Sequence, residues 1–212
     1  MIRRLILAAA ALLAAAPLYA VTYTFEPEHT QGVVRWNHLG FANPTAQFNN
    51  VQGTLEFDQA DPTHSSVMVT IPLTSMSTGV PDLNDNFQSS YFFDFAKFPA
   101  ATFKSGKVER GTAPDKLKVV GDLNLHGITK PVVLDVTINK VGTNPRNQVP
   151  TVGFEAMATL KRSDFGLGRF VPQVSDEVQV HITAEAAEKN AYAQYLKEEA
   201  AREAEAAKKS KQ

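Results

Sequence analysis

Five histidines, His29, His38, His64, His126 and His181, are the residues of this chain best suited to acid–base or metal chemistry. None forms an H-x-H or H-x-x-x-H pair, and three sit at or near expected turns. A turn imidazole more often bonds a backbone group than a metal. The one metal-like combination is His29 with His38 across a strand end, with Asp82 or Asp85 nearby. It would suit a metal-assisted hydrolase or isomerase using His29, His38 and Asp85. Ser65, Ser75, Ser89 and Ser163 lie in no G-x-S-x-G elbow, and Gly166-Leu167-Gly168 is too short to cradle a phosphate. There is no cysteine, which excludes a thiol nucleophile, a disulfide framework, c-type haem attachment, thiolate zinc and a lipoprotein anchor. The spacing gives no positive sign of catalysis, and neither a cofactor nor a metal is expected.

The elements that would position any site are short strands. Gly32, Val34, Trp36 and His38 alternate with more polar neighbours, as do Val51, Gly53, Leu55 and Phe57, and then Val67, Val69 and Ile71. Ala101 to Lys107, Val152 to Arg162 and Val178 to Ile182 add further strands. Period-two alternation of this kind marks a strand with one buried face. Leu117 to Ile138 is the clearest unit: two alternating runs joined by the six residues from His126 to Pro131, which read as a hairpin connection. Many short alternating strands with turn signals between them predict an antiparallel sandwich or closed barrel.

Gly53, Gly121, Ala156 and Ala158 fall on the expected inward faces. Small residues there leave room either for a neighbouring side chain or for an elongated apolar ligand, and a strand glycine can equally mark a bend. Asp82 to Ser90 lacks alternation and suits a helical turn or two. Tyr91 to Phe98 then places five aromatic residues in eight positions with no single strand period. That segment suits either a plug closing an apolar cavity or a core cluster under a long connection.

Length and composition, with about a fifth of 212 residues charged and a net charge of −1, fit one domain with appendages and not a nucleic-acid binder. Thirteen Phe against one Trp point to a large apolar interior. Arg3 and Arg4, the apolar run from Leu5 to Ala16, and Ala20 have the layout of a secretory signal peptide cleaved after Ala20. No later apolar stretch reaches membrane length, so an exported, soluble, periplasmic protein is expected. The division is residues 1–20 as signal peptide, 21–186 as barrel and 187–212 as a tail. Glu185 to Gln212 is rich in Ala, Glu and Lys, lacks Gly and Pro, and balances six acidic with six basic residues. It predicts a solvated single helix without a coiled-coil seam.

Several segments together resemble the YceI-like family of polyisoprenoid-binding, lipocalin-like proteins. They are Glu28-His29-Thr30 leading into Val34-x-Trp36-x-His38-Leu39-Gly40, Gly53 to Asp58, and Phe92-Phe93-Asp94 with Phe98-Pro99. Thr102 to Ser105, Gly121 to Val132, Leu160 to Leu167 and Val174 to Val178 complete the set, in order from Val21 to Ala186. The resemblance implies an extended eight-stranded antiparallel barrel whose pore holds a long isoprenoid or similar amphiphilic lipid. It also implies an exported, often dimeric protein that is not an enzyme in any general sense. Val34, Trp36, Leu55, Phe57, Phe92, Phe93, Phe95, Leu123, Leu125 and Leu160 are the expected pore walls. Arg162 and Asp164, in the most polar part of the matching motif, are expected to form a structural salt bridge or to orient a head group. One departure is notable: where the family carries a His-Leu pair before Phe-Phe-Asp, this chain has Asp85-Asn86-Phe87-Gln88-Ser89.

Overall fold

The computed structural model describes residues 20–210. All of the expected signal peptide except Ala20 lies outside them. Ten strands follow in order: β1 (Val21–Phe25), β2 (Gln31–Arg35), β3 (Thr45–Phe48), β4 (Gln52–Phe57), β5 (Ser66–Pro72), β6 (Ala100–Arg110), β7 (Lys116–Leu125), β8 (Ile128–Thr143), β9 (Pro150–Lys161) and β10 (Glu177–Glu188). Helix α1 (Pro81–Gln88) precedes β6, and helix α2 (Lys189–Lys209) follows β10. Neighbours run antiparallel in the order β1-β4-β5-β6-β7-β8-β9-β10-β2-β3. A further β1–β10 pairing closes the ring.

Ten segments make an eight-stranded barrel because two staves are broken. β10 pairs with β2 over Gln179–Thr183 and with β1 over Ala186–Glu188, so β1 and β2 lie end to end along one neighbour. β3 and β4 do the same along β2 and β1. The first break is a short 3-10 turn, Pro27–His29, and the side chain of Thr30 mends the ladder there. Its hydroxyl donates to the Glu185 carbonyl at 3.2 Å and accepts from the Glu185 N–H at 3.3 Å. Those bonds let Thr30 sit 2 % exposed, the one buried polar residue among those described. At the second break Ser75 takes the same part, accepting from the Asn49 N–H at 3.0 Å.

The Leu117–Ile138 unit forms, with a shorter connection than its sequence suggests. Only His126 and Gly127 turn the chain, both at positive φ (54° and 74°), and Leu125 pairs with Ile128. This is the two-residue geometry that matches strand twist. Pro131 therefore lies inside β8, opposite Asp122, in the stretch where β8 pairs with β7 and not yet with β9. A missing N–H is tolerated on such a half-open edge.

Two of the small inward residues turn out to serve backbone packing rather than pore width. A Cβ on Gly121 would lie 2.5 Å from both the Phe103 ring and the Lys104 carbonyl, so the glycine is the seat for that ring. A Cβ on Gly53 would meet the Met68 carbonyl at 2.1 Å, with φ at +152°. Gly53→Ala is expected to cost about 2–4 kcal/mol through this clash and its unfavourable φ. A urea midpoint unchanged from the parent protein would contradict the reading.

Packing is divided among three clusters around a central space rather than one solid core. Tyr23, Leu55, Phe57, Val152 and Ala186 fill one end, with Phe57 edge-on to Tyr23 and Phe154. Ala46, Leu73, Met76, Phe95 and Ala101 form the second, and Phe103, Val119, Val132, Phe165 and Leu167 the third. α2 starts directly from β10, its first N–H groups capped by the Glu188 carboxylate, and it buries no residue. No helix among the described residues is long and apolar enough to cross a membrane.

Candidate ligand-binding pore

Alternation places one side chain in two of each stave inside the ring. Inside it lies a cavity of about 790 Å³. Nine of the ten expected wall residues line it: Val34, Trp36, Leu55, Phe57, Phe92, Phe93, Leu123, Leu125 and Leu160. Phe95 does not. It is 8 % exposed inside the second packing cluster, 6.0 Å from the Phe93 ring. The segment is a series of turns rather than a strand, with Asp94 at a positive φ of 49° between the two rings. Ala156 and Ala158 both line the cavity, and Ala158 is only half-buried because its methyl faces open space.

Residues that the sequence pattern did not single out complete the wall. α1 and the segment after it cross one end of the barrel, where Phe87 lies edge-on to Trp36 at 5.5 Å and to Phe92 and Phe93 at 5.4 and 5.9 Å. The aromatic segment has parts of both expected arrangements: Tyr91, Phe92 and Phe93 line the cavity, while Phe95 is buried in the second packing cluster. Phe170, Val174 and Arg169 approach from the Gly166–Val174 loop. No periodicity marks a loop residue, so only the run of apolar types around Gly168 could have drawn attention to them. Polar lining groups are few and lie toward the ends: His38, Asn86, Arg162 and Arg169 at the mouth, Thr30, Ser65 and Ser66 toward the other end.

Arg162 is the organising polar residue of the mouth, and its partner is not Asp164. Its Nε donates to the Ser175 carbonyl at 2.7 Å, one Nη to the Val174 carbonyl at 2.8 Å, and the other to the carbonyls of Leu167 and, at 2.7 Å, Arg169. A planar five-donor fork can gather several carbonyls in this way. Burial pushes its pKa down, opposed by the Asp176 carboxylate. The carboxylate that the motif does use is Asp176, which accepts from the Ser163 hydroxyl at 2.6 Å and the Ser163 N–H at 2.8 Å. The Ser163 side-chain bond, foremost, holds the Asp176 pKa below the usual carboxylate range. A lowered folded-state pKa contributes stability above the unfolded value and loses it as pH falls through the folded one. Asp176→Asn is therefore expected to flatten part of the fall in melting temperature below about pH 4. An acid limb identical to that of the parent protein would remove Asp176 from the account.

The histidines are dispersed. His29 and His38 stand beyond opposite ends of β2, and His29 pairs with Glu26 at 2.6 Å. Asp85 is exposed on α1. The combination of His29, His38 and Asp85 does not assemble, and no group of three or more metal-ligating residues occurs among the described residues. His126 is a turn residue, its Nδ1 3.1 Å from the Phe165 carbonyl and its ring 4.6 Å from that of Phe98.

An eight-stranded antiparallel barrel, closed by a continuous hydrogen-bonded ring around an apolar cavity and capped by an aromatic segment, is of the lipocalin-like class. Residues 23–186 match the YceI-like domain, and the chain belongs to that family. It is 33 % identical over 179 residues to protein YceI of Escherichia coli, covering 84 % of this chain and 92 % of that one. The crystal structure of Campylobacter jejuni YceI superposes with a TM-score of 0.66 at 29 % identity, covering 73 % of this chain and 90 % of that one. A polyisoprenoid binding domain from Saccharophagus degradans shares the fold, with a TM-score of 0.60 at 15 % identity over 80 % of this chain and 99 % of that one.

Proposed function

We propose that the protein binds a long-chain isoprenoid or a similar amphiphilic lipid in the barrel pore and acts as a periplasmic carrier or sequestering protein. The observation that carries this is the cavity itself: about 790 Å³, apolar along its length, with polar groups only toward its ends. Such a wall suits a long hydrocarbon with a polar head at the mouth, and burial at about 25 cal/mol per Å² drives association without directional contacts. The polyisoprenoid-binding domain of Saccharophagus degradans, which shares this architecture, supports the same ligand class. Binding is favoured over catalysis because the wall is almost wholly apolar and Arg162, a charged group at its mouth, is tied up in structural bonds. Its guanidinium holds four carbonyls. The periplasmic assignment rests on the leader-like Arg3 to Ala20 segment.

Native mass spectrometry of protein purified from its own host, followed by organic extraction, tests the proposal. The expected result is an adduct of defined mass that extracts as a polyprenyl or other long-chain lipid. Trp36 offers a second readout, being the one tryptophan and part of the wall. Its emission is expected to shift when delipidated protein is titrated with a long-chain isoprenoid. An empty protein from its own host that also ignores added isoprenoid would overturn the reading.

A further inference from the structure

The cavity wall does not stop at the mouth. Tyr91 and Phe170 line the cavity and are also 52 % and 53 % exposed, so the apolar surface runs from inside the barrel onto its outer rim. Beside it stand Leu39, 48 % exposed and bonded through its N–H to the Gln173 carbonyl, and, two residues on, Phe41, 91 % exposed; neither touches the cavity. Buried apolar groups are ordinary, but a cluster of outward-pointing large ones around an opening marks a contact surface.

The backbone holds these residues outward. Leu39 and Phe170 both have positive φ (56° and 64°), a conformation that large side chains rarely adopt without support from their surroundings. The support is two bonds joining the rim segments and one within the second. The Leu39 N–H donates to the Gln173 carbonyl at 3.1 Å, the Ser175 N–H to the Asn37 carbonyl at 3.0 Å, and the Val174 N–H to the Phe170 carbonyl at 2.8 Å. The rim is a built surface rather than two loose loops.

Its charge is equally particular. Residues 37–44 and 166–174 carry one formal charge between them, Arg169, in a chain with about a fifth of its residues charged. The Arg169 guanidinium lies 3.3 Å from the centre of the Tyr91 ring. Asp82 and Asp85 stand on α1, and Asp94 and Lys97 follow Tyr91 in its own segment as one charge of each sign. Aromatic and aliphatic side chains with a single stacked cation are the composition of a surface that seats in a bilayer interface.

We infer that the mouth of the barrel docks on a lipid bilayer through Leu39, Phe41, Tyr91 and Phe170, with Arg169 toward the phosphates. The choice of a bilayer over a protein partner rests on the lipid-binding reading above, together with the continuity of rim and cavity. A lipid leaving the membrane through this mouth passes from the rim aromatics straight onto the cavity wall, meeting only His38, Asn86, Arg162 and Arg169 as polar groups on the way.

Flotation of the purified protein with vesicles of phosphatidylcholine and phosphatidylglycerol in equimolar mixture tests the docking. Trp36 emission tests loading of the cavity separately. The parent protein is expected to float with the vesicles. Phe41→Ser combined with Leu39→Asn, which retains the left-handed conformation, is expected to lower the partition at least tenfold while isoprenoid added in detergent still shifts Trp36. Parent protein that loads from detergent yet stays in the vesicle-free fraction would overturn the docking and leave the carrier reading intact. Vesicle binding with no loading would instead leave the docking and overturn the carrier reading. A rim-dependent dimer in the absence of vesicles, or flotation untouched by the double substitution, would also overturn the inference.

Discussion

Arg162→Ala is expected to lower the melting temperature by about 10 °C and to free the mouth of its ordered loop. The guanidinium ties the carbonyls of Leu167, Arg169, Val174 and Ser175 to the start of the 3-10 turn that follows β9. A hydrogen bond to a charged group contributes roughly 1.5–3 kcal/mol. Water reaches parts of this loop, so the four do not simply add, and a net loss of about 3–5 kcal/mol is expected. For a domain of this size each kcal/mol shifts the midpoint by about 2–4 °C. Arg162→Lys restores little, because one compact ammonium with three donors cannot reach four separate carbonyls. Circular dichroism melts of the three proteins decide the matter. A melt of Arg162→Ala within a degree or two of the parent would show that the loop is held by its apolar contacts instead.

The second large effect is on ligand capacity. Ala158→Phe places a ring into space that the structure leaves open, opposite Val180 on β10. An aromatic side chain covers roughly 150–250 Å². At about 25 cal/mol per Å², a ligand deprived of the lower figure loses close to 4 kcal/mol, between two and three decades of affinity. A flexible lipid recovers part of that by shifting along the pore, so a fall of about one to two decades is expected in titrations followed through Trp36. The melting temperature is expected to hold or rise, since the ring fills a void instead of displacing packed atoms. Loss of binding with a retained fold locates the ligand inside the barrel. Undiminished affinity would move the binding site elsewhere.

The barrel was legible in the chain because half-buried strands print their alternation directly on the residues. Val34, Leu55, Phe57, Leu123, Leu125 and Leu160 sit on regular staves, with Trp36 one residue past the end of β2, and period two assigns their faces. What alternation could not reveal was local. The breaks at Pro27–His29 and before β4 split two staves, because their ladder bonds are mended by the side chains of Thr30 and Ser75. Gly53 and Gly121 offered three readings that only the position of a neighbouring carbonyl or ring could separate. Phe95 was placed on the wall by its aromatic neighbours alone, and a segment of turns with no period does not reveal which of its rings face inward. Arg162 was noticed but given the wrong kind of partner. A carboxylate two residues away is visible in a sequence, whereas four converging carbonyls are a property of the folded loop.

Helix α2 leaves the barrel from the last residue of β10, at the end opposite the mouth, and it lies past the family match at residue 186. At about 1.5 Å per residue its 21 residues make a rod of roughly 30 Å. Because the strand passes into the helix without a linker, the rod behaves as a handle whose direction is set by the barrel. Anything attached to the C-terminus, whether a dye, a solid support or a second domain, is held away from the mouth and leaves that opening facing outward.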